Sequence, residues 1–174
     1  MAAGPTYEPI ATANGTGSSD TVIFNDIPGT YTDLVLICNF IVTDDQGGIS
    51  IRFNNDTAAN YSNTRMVGFN NPPQSGKSNN GTSIPTMFAS GGGNSNPTIT
   101  TVDIFNYANT TTYKNIKSRS AGTRFEAGTQ AFEPVLMVGV WRKFPEAITR
   151  IDAISTGGNF KITSTFTLYG IKAA

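Results

Sequence analysis

Two short clusters of acidic and amide residues are the parts of this sequence that could bind a metal ion. Asp44 and Asp45 form one cluster, and Asn54, Asn55 and Asp56 form the other. Carboxylate and amide oxygens are the ligands that Ca²⁺ prefers, but neither cluster has the alternating Asp-x-Asp-x-Asp-Gly spacing of a calcium loop. Asn and Asp are also common in turns, because their side chains hydrogen-bond to local backbone groups and tolerate left-handed conformations. The spacing therefore favours turns, and we expect no metal site.

Phosphate binding and acid–base catalysis are also weakly supported. Gly76, Lys77 and Ser78 match the end of a phosphate-binding loop, but the glycine that the motif requires five residues earlier is Asn71. The chain contains no histidine, which removes the commonest general base and metal ligand. Carboxylates can act in pairs, but no spacing marks a pair among the candidates, which are Asp103, Glu126, Glu133, Glu146 and Asp152. We expect a protein that is not an enzyme and needs no cofactor.

Composition excludes several classes of partner and compartment. Lys plus Arg and Asp plus Glu both number 12, so no net charge attracts the chain to nucleic acid or to a membrane surface. The single cysteine, Cys38, lies in an apolar run and cannot form an internal disulfide. The N-terminal sequence lacks the basic and apolar regions of a secretory signal, and no apolar run is long enough to span a bilayer. We expect synthesis in a cytoplasm, no nucleic acid partner and no membrane partner.

Alternation of apolar and polar residues, which is typical of β-strands, dominates the chain. It predicts about nine to eleven strands and no long helix, hence an all-β, single-domain antiparallel β-sandwich that resembles a jelly roll. Residues 1–12 are predicted to be an N-terminal arm or first strand, in the former case bound to a partner, and residues 13–174 to be the sandwich domain. Residues 33–42 and 49–53 are expected to form a hairpin, and residues 135–143 a buried strand.

Residues 70–96 are rich in Asn, Pro, Ser and Gly and are predicted to be the longest loop-like region, interrupted by one short segment. Near the C-terminus, residues 159–171 alternate best. Here Phe160, Ile162, Phe166 and Leu168 are expected on one face.

Aromatic residues in or beside polar segments are candidates for contact with a partner, since such rings stack on sugars and anchor protein contacts. These contact candidates are Tyr7, Tyr61, Phe69, Phe88, Tyr107 and Tyr113. Trp141, at the end of an apolar strand, is expected to pack in the core or at its edge.

Four segments of the chain together resemble a family of small tailed-phage virion proteins that is frequent in cyanophages and other marine phages. The segments are TYEPIATANGTGSSDTVIFNDIPGTYTDLVLI, IRFNNDTAANYS, VDIFNYANTTTYKNIKS and the terminal FTLYGIKAA. The likeness covers nearly the whole chain from Tyr7 onward, although residues 70–96 and 122–134 do not carry its motifs. The resemblance implies a non-enzymatic structural protein of the virion and brings no catalytic residues.

Within this resemblance, the Asn and Asp clusters are interpreted as structural corners of a sandwich. Asn54 and Asp56 would form one corner, and Asn106 and Asn109 a second. The hypothesis makes the chain a capsid-surface decoration or cement protein whose partners are other virion proteins, the major capsid protein first among them. Symmetric placement would make it a homo-oligomer, either a trimer or a dimer.

Two other functions remain open at this point. The chain could be the receptor-binding head of a tail fibre or tail tip that recognises a host surface glycan through residues 70–96 with Tyr61, Phe69 and Phe88. It could also be a stand-alone carbohydrate-binding module. A cement protein should present a flat apolar surface, whereas a lectin should present a concave aromatic site.

Overall fold

The computed structural model describes residues 6–44, 46–68, 72–91, 96–126 and 129–172, with side chains for all of these except residues 46, 87–91, 124–126 and 129–131. These parts of the chain are all-β. The twelve strands are β1 Tyr7–Asn14, β2 Thr21–Phe24, β3 Asp33–Phe40, β4 Gln46–Phe53, β5 Tyr61–Val67, β6 Gln74–Gly81, β7 Ile84–Gly91, β8 Thr98–Phe105, β9 Lys114–Glu126, β10 Thr129–Trp141, β11 Ile151–Ser155 and β12 Thr165–Ile171. Among the described residues, no helix is long and apolar enough to cross a membrane.

The strands form two antiparallel sheets that pack into a single-domain sandwich. The large sheet has eight strands in the order β1-β12-β3-β8-β9-β10-β5-β6, and the small sheet has four in the order β2-β11-β4-β7. Four long-range pairs organise both sheets: β1 with β12, β2 with β11, β3 with β8, and β4 with β7. A double chain paired in this way and rolled across two sheets is the jelly roll. The predicted fold class is therefore confirmed.

The large sheet contains four of the eight jelly-roll strands, and two inserted hairpins, β5–β6 and β9–β10, add four more. β9 and β10 pair along their whole length, from Lys114 with Trp141 to Glu126 with Thr129. β5 pairs with β10 on one side and with β6 on the other. The inner face of β9 and β10 packs against β7 of the small sheet. Their outer face has no covering element among the described residues.

The core lies between the two sheets and is built from the alternate residues of each strand that point inward. Its largest fully buried side chains include Trp141, Tyr61, Tyr107, Phe40 and Phe53. Phe160 and Phe166 pack edge to face with 4.8 Å between their ring centroids. Cys38 is fully buried in this core, and burial raises the pKa of its thiol. It is thus a small core residue, because a buried, protonated thiol is unreactive.

Several sequence expectations on local structure were wrong. β3 and β4 lie in different sheets, so they do not form the expected hairpin. Residues 70–96 are not mainly a loop, because they contain β6 and β7. Ile162 does not share the buried face of Phe160: the chain turns before β12, and the Ile162 side chain is 72% exposed.

The N-terminal segment belongs to the large sheet from Tyr7 onward. Tyr7 pairs with Ile171 and Asn14 pairs with Thr165, so the boundary expected between residues 12 and 13 falls inside β1. Glu8 anchors this strand through its carboxylate, which accepts a hydrogen bond from Lys172 Nζ at 2.7 Å and one from Tyr31 Oη at 3.3 Å. The interpretation as a first strand therefore describes Tyr7 to Thr12 better than that of an arm.

Candidate functional site

The first Asn/Asp cluster ties together the end of β4 and the segment before β11. Asn54 lies in the left-handed region with a φ of 49°. Its side-chain amide donates to Glu146 Oε1 at 2.6 Å and to the carbonyl of Ala147 at 2.7 Å. Its side-chain oxygen accepts from the backbone N–H groups of Thr149 at 2.9 Å and Arg150 at 3.0 Å. Three of these bonds go to the backbone and one goes to the Glu146 carboxylate, so the side-chain amide of Asn54 is bonded within the chain.

Asp56 closes the same corner around the tryptophan. Its Oδ2 accepts from Trp141 Nε1 at 2.8 Å and from Asn60 Nδ2 at 2.9 Å, and its Oδ1 accepts from the backbone N–H of Ala58 at 3.0 Å. The described residues contain no group of three or more His, Cys, Asp or Glu side chains that could hold a metal ion. The geometry of Asp56 is that of a buried structural acceptor.

Acid is expected to destabilise the fold through Asp56. Desolvation alone would raise the pKa of this carboxyl, but hydrogen bonds from Asn60, Trp141 and Ala58 outweigh it and lower the pKa. A folded-state pKa below the unfolded value of about 3.9 stabilises the protein above that pH. This stabilisation is lost as pH falls through the folded pKa.

The measurement is the free energy of unfolding of the native chain and of Asp56→Asn between pH 7 and pH 2.5. We expect the native chain to lose more stability than the variant, which has no carboxyl to titrate at this position. Equal losses in the two proteins would contradict the proposed role of Asp56.

The second cluster forms a comparable corner between β8 and β9. Asn106 has a φ of 53°, and its backbone N–H donates to Asp33 Oδ1 at 2.7 Å. The side-chain oxygen of Asn109 accepts from Thr111 N at 2.6 Å and from the hydroxyls of Thr111 at 2.9 Å and Thr112 at 3.2 Å. Both clusters therefore hold turns in place with side-chain bonds to nearby backbone.

The aromatic contact candidates divide according to their exposure. Tyr61 and Tyr107 are fully buried, so neither can present its ring to a partner, and the contact role expected for them was wrong. Tyr61 Oη donates to the Phe53 carbonyl and accepts from its N–H, and Tyr107 Oη donates to the Pro28 carbonyl. Burial raises the pKa of both phenols.

Tyr7 and Tyr113 do face solvent, with exposures of 59% and 52%. Tyr113, Phe144, Thr111 and Thr112 line an open cleft of about 430 Å³. Phe69 lies outside the described residues. Phe88 lies in the part of β7 whose side chains are not described. An exposed aromatic cleft therefore exists beside Tyr113, one of the predicted contact residues, and not at Tyr61.

An extended exposed apolar surface lies on the outer face of β10. Every outward residue of this strand from position 132 to 140 is apolar, and these residues are Phe132, Pro134, Leu136, Val138 and Val140. Phe132 is 78% exposed and Val138 54% exposed. On β5, Met66 pairs with Leu136 and widens the patch. We call these six residues the β10 face.

Charged side chains flank the β10 face on both sides. On one side, Lys117 and Arg119 of β9 both approach Asp103 of β8. Lys117 Nζ lies 3.1 Å and Arg119 Nη2 lies 3.8 Å from Asp103 Oδ2. On the edge strand β6, Lys77 pairs with Thr64 of β5 and points outward beside it. An open groove of about 590 Å³ runs along the patch between Met66, Gln74, Arg119 and Leu136. A flat apolar centre with a charged rim is the anatomy of a protein–protein interface.

The sequence analysis missed the β10 face because residues 135–143 were interpreted as a buried strand. The signal was nevertheless present, since apolar residues at both odd and even positions require two covered faces. Among the residues that the structure describes, the inner face is covered by β7 and nothing covers the outer face.

In comparisons with known proteins, no family model matches the chain and no curated protein sequence matches it.

Proposed function

We propose that this chain is a non-enzymatic structural protein of a tailed-phage virion, most specifically a capsid-surface decoration or cement protein. The single observation that carries an assembly role is the β10 face. Soluble monomers rarely expose a contiguous apolar patch on a rigid sheet unless it binds a partner. The jelly roll is consistent with this role because capsid and lectin domains both use it.

The resemblance of the sequence to small phage virion proteins supports the virion assignment. The segments that carry the resemblance include both Asn/Asp corners, and the structure uses those corners to hold turns. A surface poor in charge, with 14% charged residues, suits contact between many neighbouring copies without strong mutual repulsion. The partners in this proposal are the major capsid protein and further copies of the chain.

The proposal is tested by the number and position of copies on purified particles of a phage that encodes this chain. Quantitative mass spectrometry gives the copy number relative to the capsid protein, and gold-labelled antibody imaging gives the position. Hundreds of copies over the head support decoration. A few copies at the tail, or none on the particle, would overturn it.

A second candidate function is recognition of a host surface glycan by a tail-fibre or tail-tip head. The observation that favours it is the cleft of Tyr113 and Phe144, since exposed rings can stack on sugar faces. Glycan-array binding that is lost in Tyr113→Ala and kept in Tyr7→Ala, a control at another exposed tyrosine, would establish this function. Absence of binding to any host glycan would remove it.

A further inference from the structure

We infer that the β10 face binds a second copy of this chain, in a face-to-face dimer whose two-fold axis runs parallel to β10 between the two large sheets. This inference rests on the proposed function only in taking the β10 face as a protein contact. It goes further by naming the occupant and the register. Its test uses the isolated chain, so its failure is distinguishable from failure of the virion assignment.

The size of the surface lies near the lower end of what a stable dimer needs. Strands β8, β9, β10, β5 and β6 lie side by side along positions 135 to 140 of β10, and only β9 flanks positions 132 to 134. With strands about 4.8 Å apart and about 3.3 Å per residue, this outward surface covers on the order of 570 Å². A standard interface takes about 800 Å² from each partner. Two apolar sheet faces also pack well on each other, as they do inside a sandwich.

The charge pattern selects the two-fold axis parallel to β10. At the level of Val138, the register across the sheet reads Asp103, Lys117, Val138, Thr64 and Lys77, on β8, β9, β10, β5 and β6 in turn. Rotation about an axis along β10 reverses this row in the partner. Asp103 then faces Lys77 of the second copy, Lys117 faces Thr64, and Val138 faces Val138.

In the next row of paired residues, the side chains that face each other across the dimer are also compatible under the same rotation. This row reads Thr101, Arg119, Leu136, Met66 and Ser75 across the same five strands. Leu136 meets Leu136 of the second copy, and the aliphatic part of Arg119 covers Met66. A two-fold axis perpendicular to the strands would instead set β9 against β9 of the second copy, so that the cations Lys117 and Arg119 face the same two cations. That arrangement is repulsive, so the charges exclude it.

Sheet twist does not remove the match between opposite charges. Two stacked sheets cross at about 30°. Asp103 and Lys77 lie two strands from the axis, about 10 Å away, so the twist displaces them by roughly 5 Å. A lysine side chain can span that displacement.

The first experiment measures the molar mass of the native chain and two variants by light scattering during size-exclusion chromatography. We expect a dimer for the native chain and at least a tenfold weaker association for Val138→Glu. Ile162→Glu is the matched control, because it adds the same charge at an exposed isoleucine away from the β10 face. Circular dichroism verifies that the variants are folded. A native monomer, a trimer, or equal weakening in both variants would overturn the inference.

A second experiment tests the register with a short bismaleimide cross-linker. Cys38 is the sole cysteine and is fully buried, so an introduced cysteine is the only reactive thiol. Val138→Cys lies on the proposed axis and should cross-link to itself in high yield. Thr64→Cys should do so only weakly, but should cross-link when mixed with Lys117→Cys. Efficient self-linking of Thr64→Cys with none at Val138→Cys would contradict the proposed axis.

Discussion

Replacement of Trp141 by alanine is expected to lower the free energy of unfolding by about 3–5 kcal/mol. The indole is fully buried between Phe53 and Tyr61, whose ring centroids lie 5.6 Å and 6.4 Å from its own. Truncation leaves a large cavity in this cluster. It also removes the donor at 2.8 Å from Asp56 Oδ2, so that a desolvated carboxylate oxygen loses a partner.

The measurement is urea denaturation followed by far-ultraviolet circular dichroism, because Trp141 is the sole tryptophan and its fluorescence is lost in the variant. All proteins are compared at one concentration, since dimerisation adds to apparent stability. Trp141→Phe is the matched variant: it retains one aromatic ring and removes the N–H donor together with the second ring of the indole. We expect it to lose about 1–3 kcal/mol. A loss below about 1 kcal/mol in Trp141→Ala would show that this corner does not hold the sandwich together.

Replacement of Asn54 by alanine is the second large effect that we expect, at about 2–3 kcal/mol. The side chain makes four hydrogen bonds of 3.0 Å or less to residues of the segment before β11. Its φ of 49° adds to the cost, because alanine tolerates this conformation less well than asparagine.

The neighbouring Asn55 provides the matched control for Asn54. It has nearly the same backbone conformation, with a φ of 53°, and its side chain is exposed. Asn55→Ala therefore carries the conformational cost without the loss of the four bonds, and we expect it to lose about 1 kcal/mol or less. If thermal denaturation gave equal losses for the two variants, the amide of Asn54 would contribute nothing to the corner.

The overall fold was predictable because its signal is repeated along the chain. Alternation in residues 49–53 and 159–171 and the absence of helical periodicity were sufficient for an all-β sandwich. The pairing of β3 with β8 was not predictable, because strand partners distant in sequence leave no local mark. β6 was missed for a related reason: the sequence QSGKSNNG has no apolar alternation, and its pairing with β5 makes it a strand.

The candidate site was harder to predict than the fold. Tyr61 and Tyr107 resemble surface rings in the sequence because Asn residues surround them, whereas the structure buries both rings in the core. The β10 face, by contrast, resembles core in the sequence because its apolar residues alternate with inward apolar residues of the same strand. A strand that is apolar on both faces requires a cover on each face, and the described part of the chain covers only the inner face. Sequence patterns alone do not distinguish a cover within the chain from a cover supplied by a partner.

The central claim is that a second copy covers the β10 face, and oxidation of Met66 tests this most directly. Met66 is 63% exposed in the single chain, whereas Met137, one position along β10 from Val138, is 1% exposed and serves as an internal reference. Peroxide converts accessible methionine to the sulfoxide, which peptide mass spectrometry quantifies. We predict slow oxidation of Met66 in the native protein, several-fold faster oxidation in Val138→Glu, and slow oxidation of Met137 in both. Equally fast oxidation of Met66 in the native protein and the variant would contradict the claim.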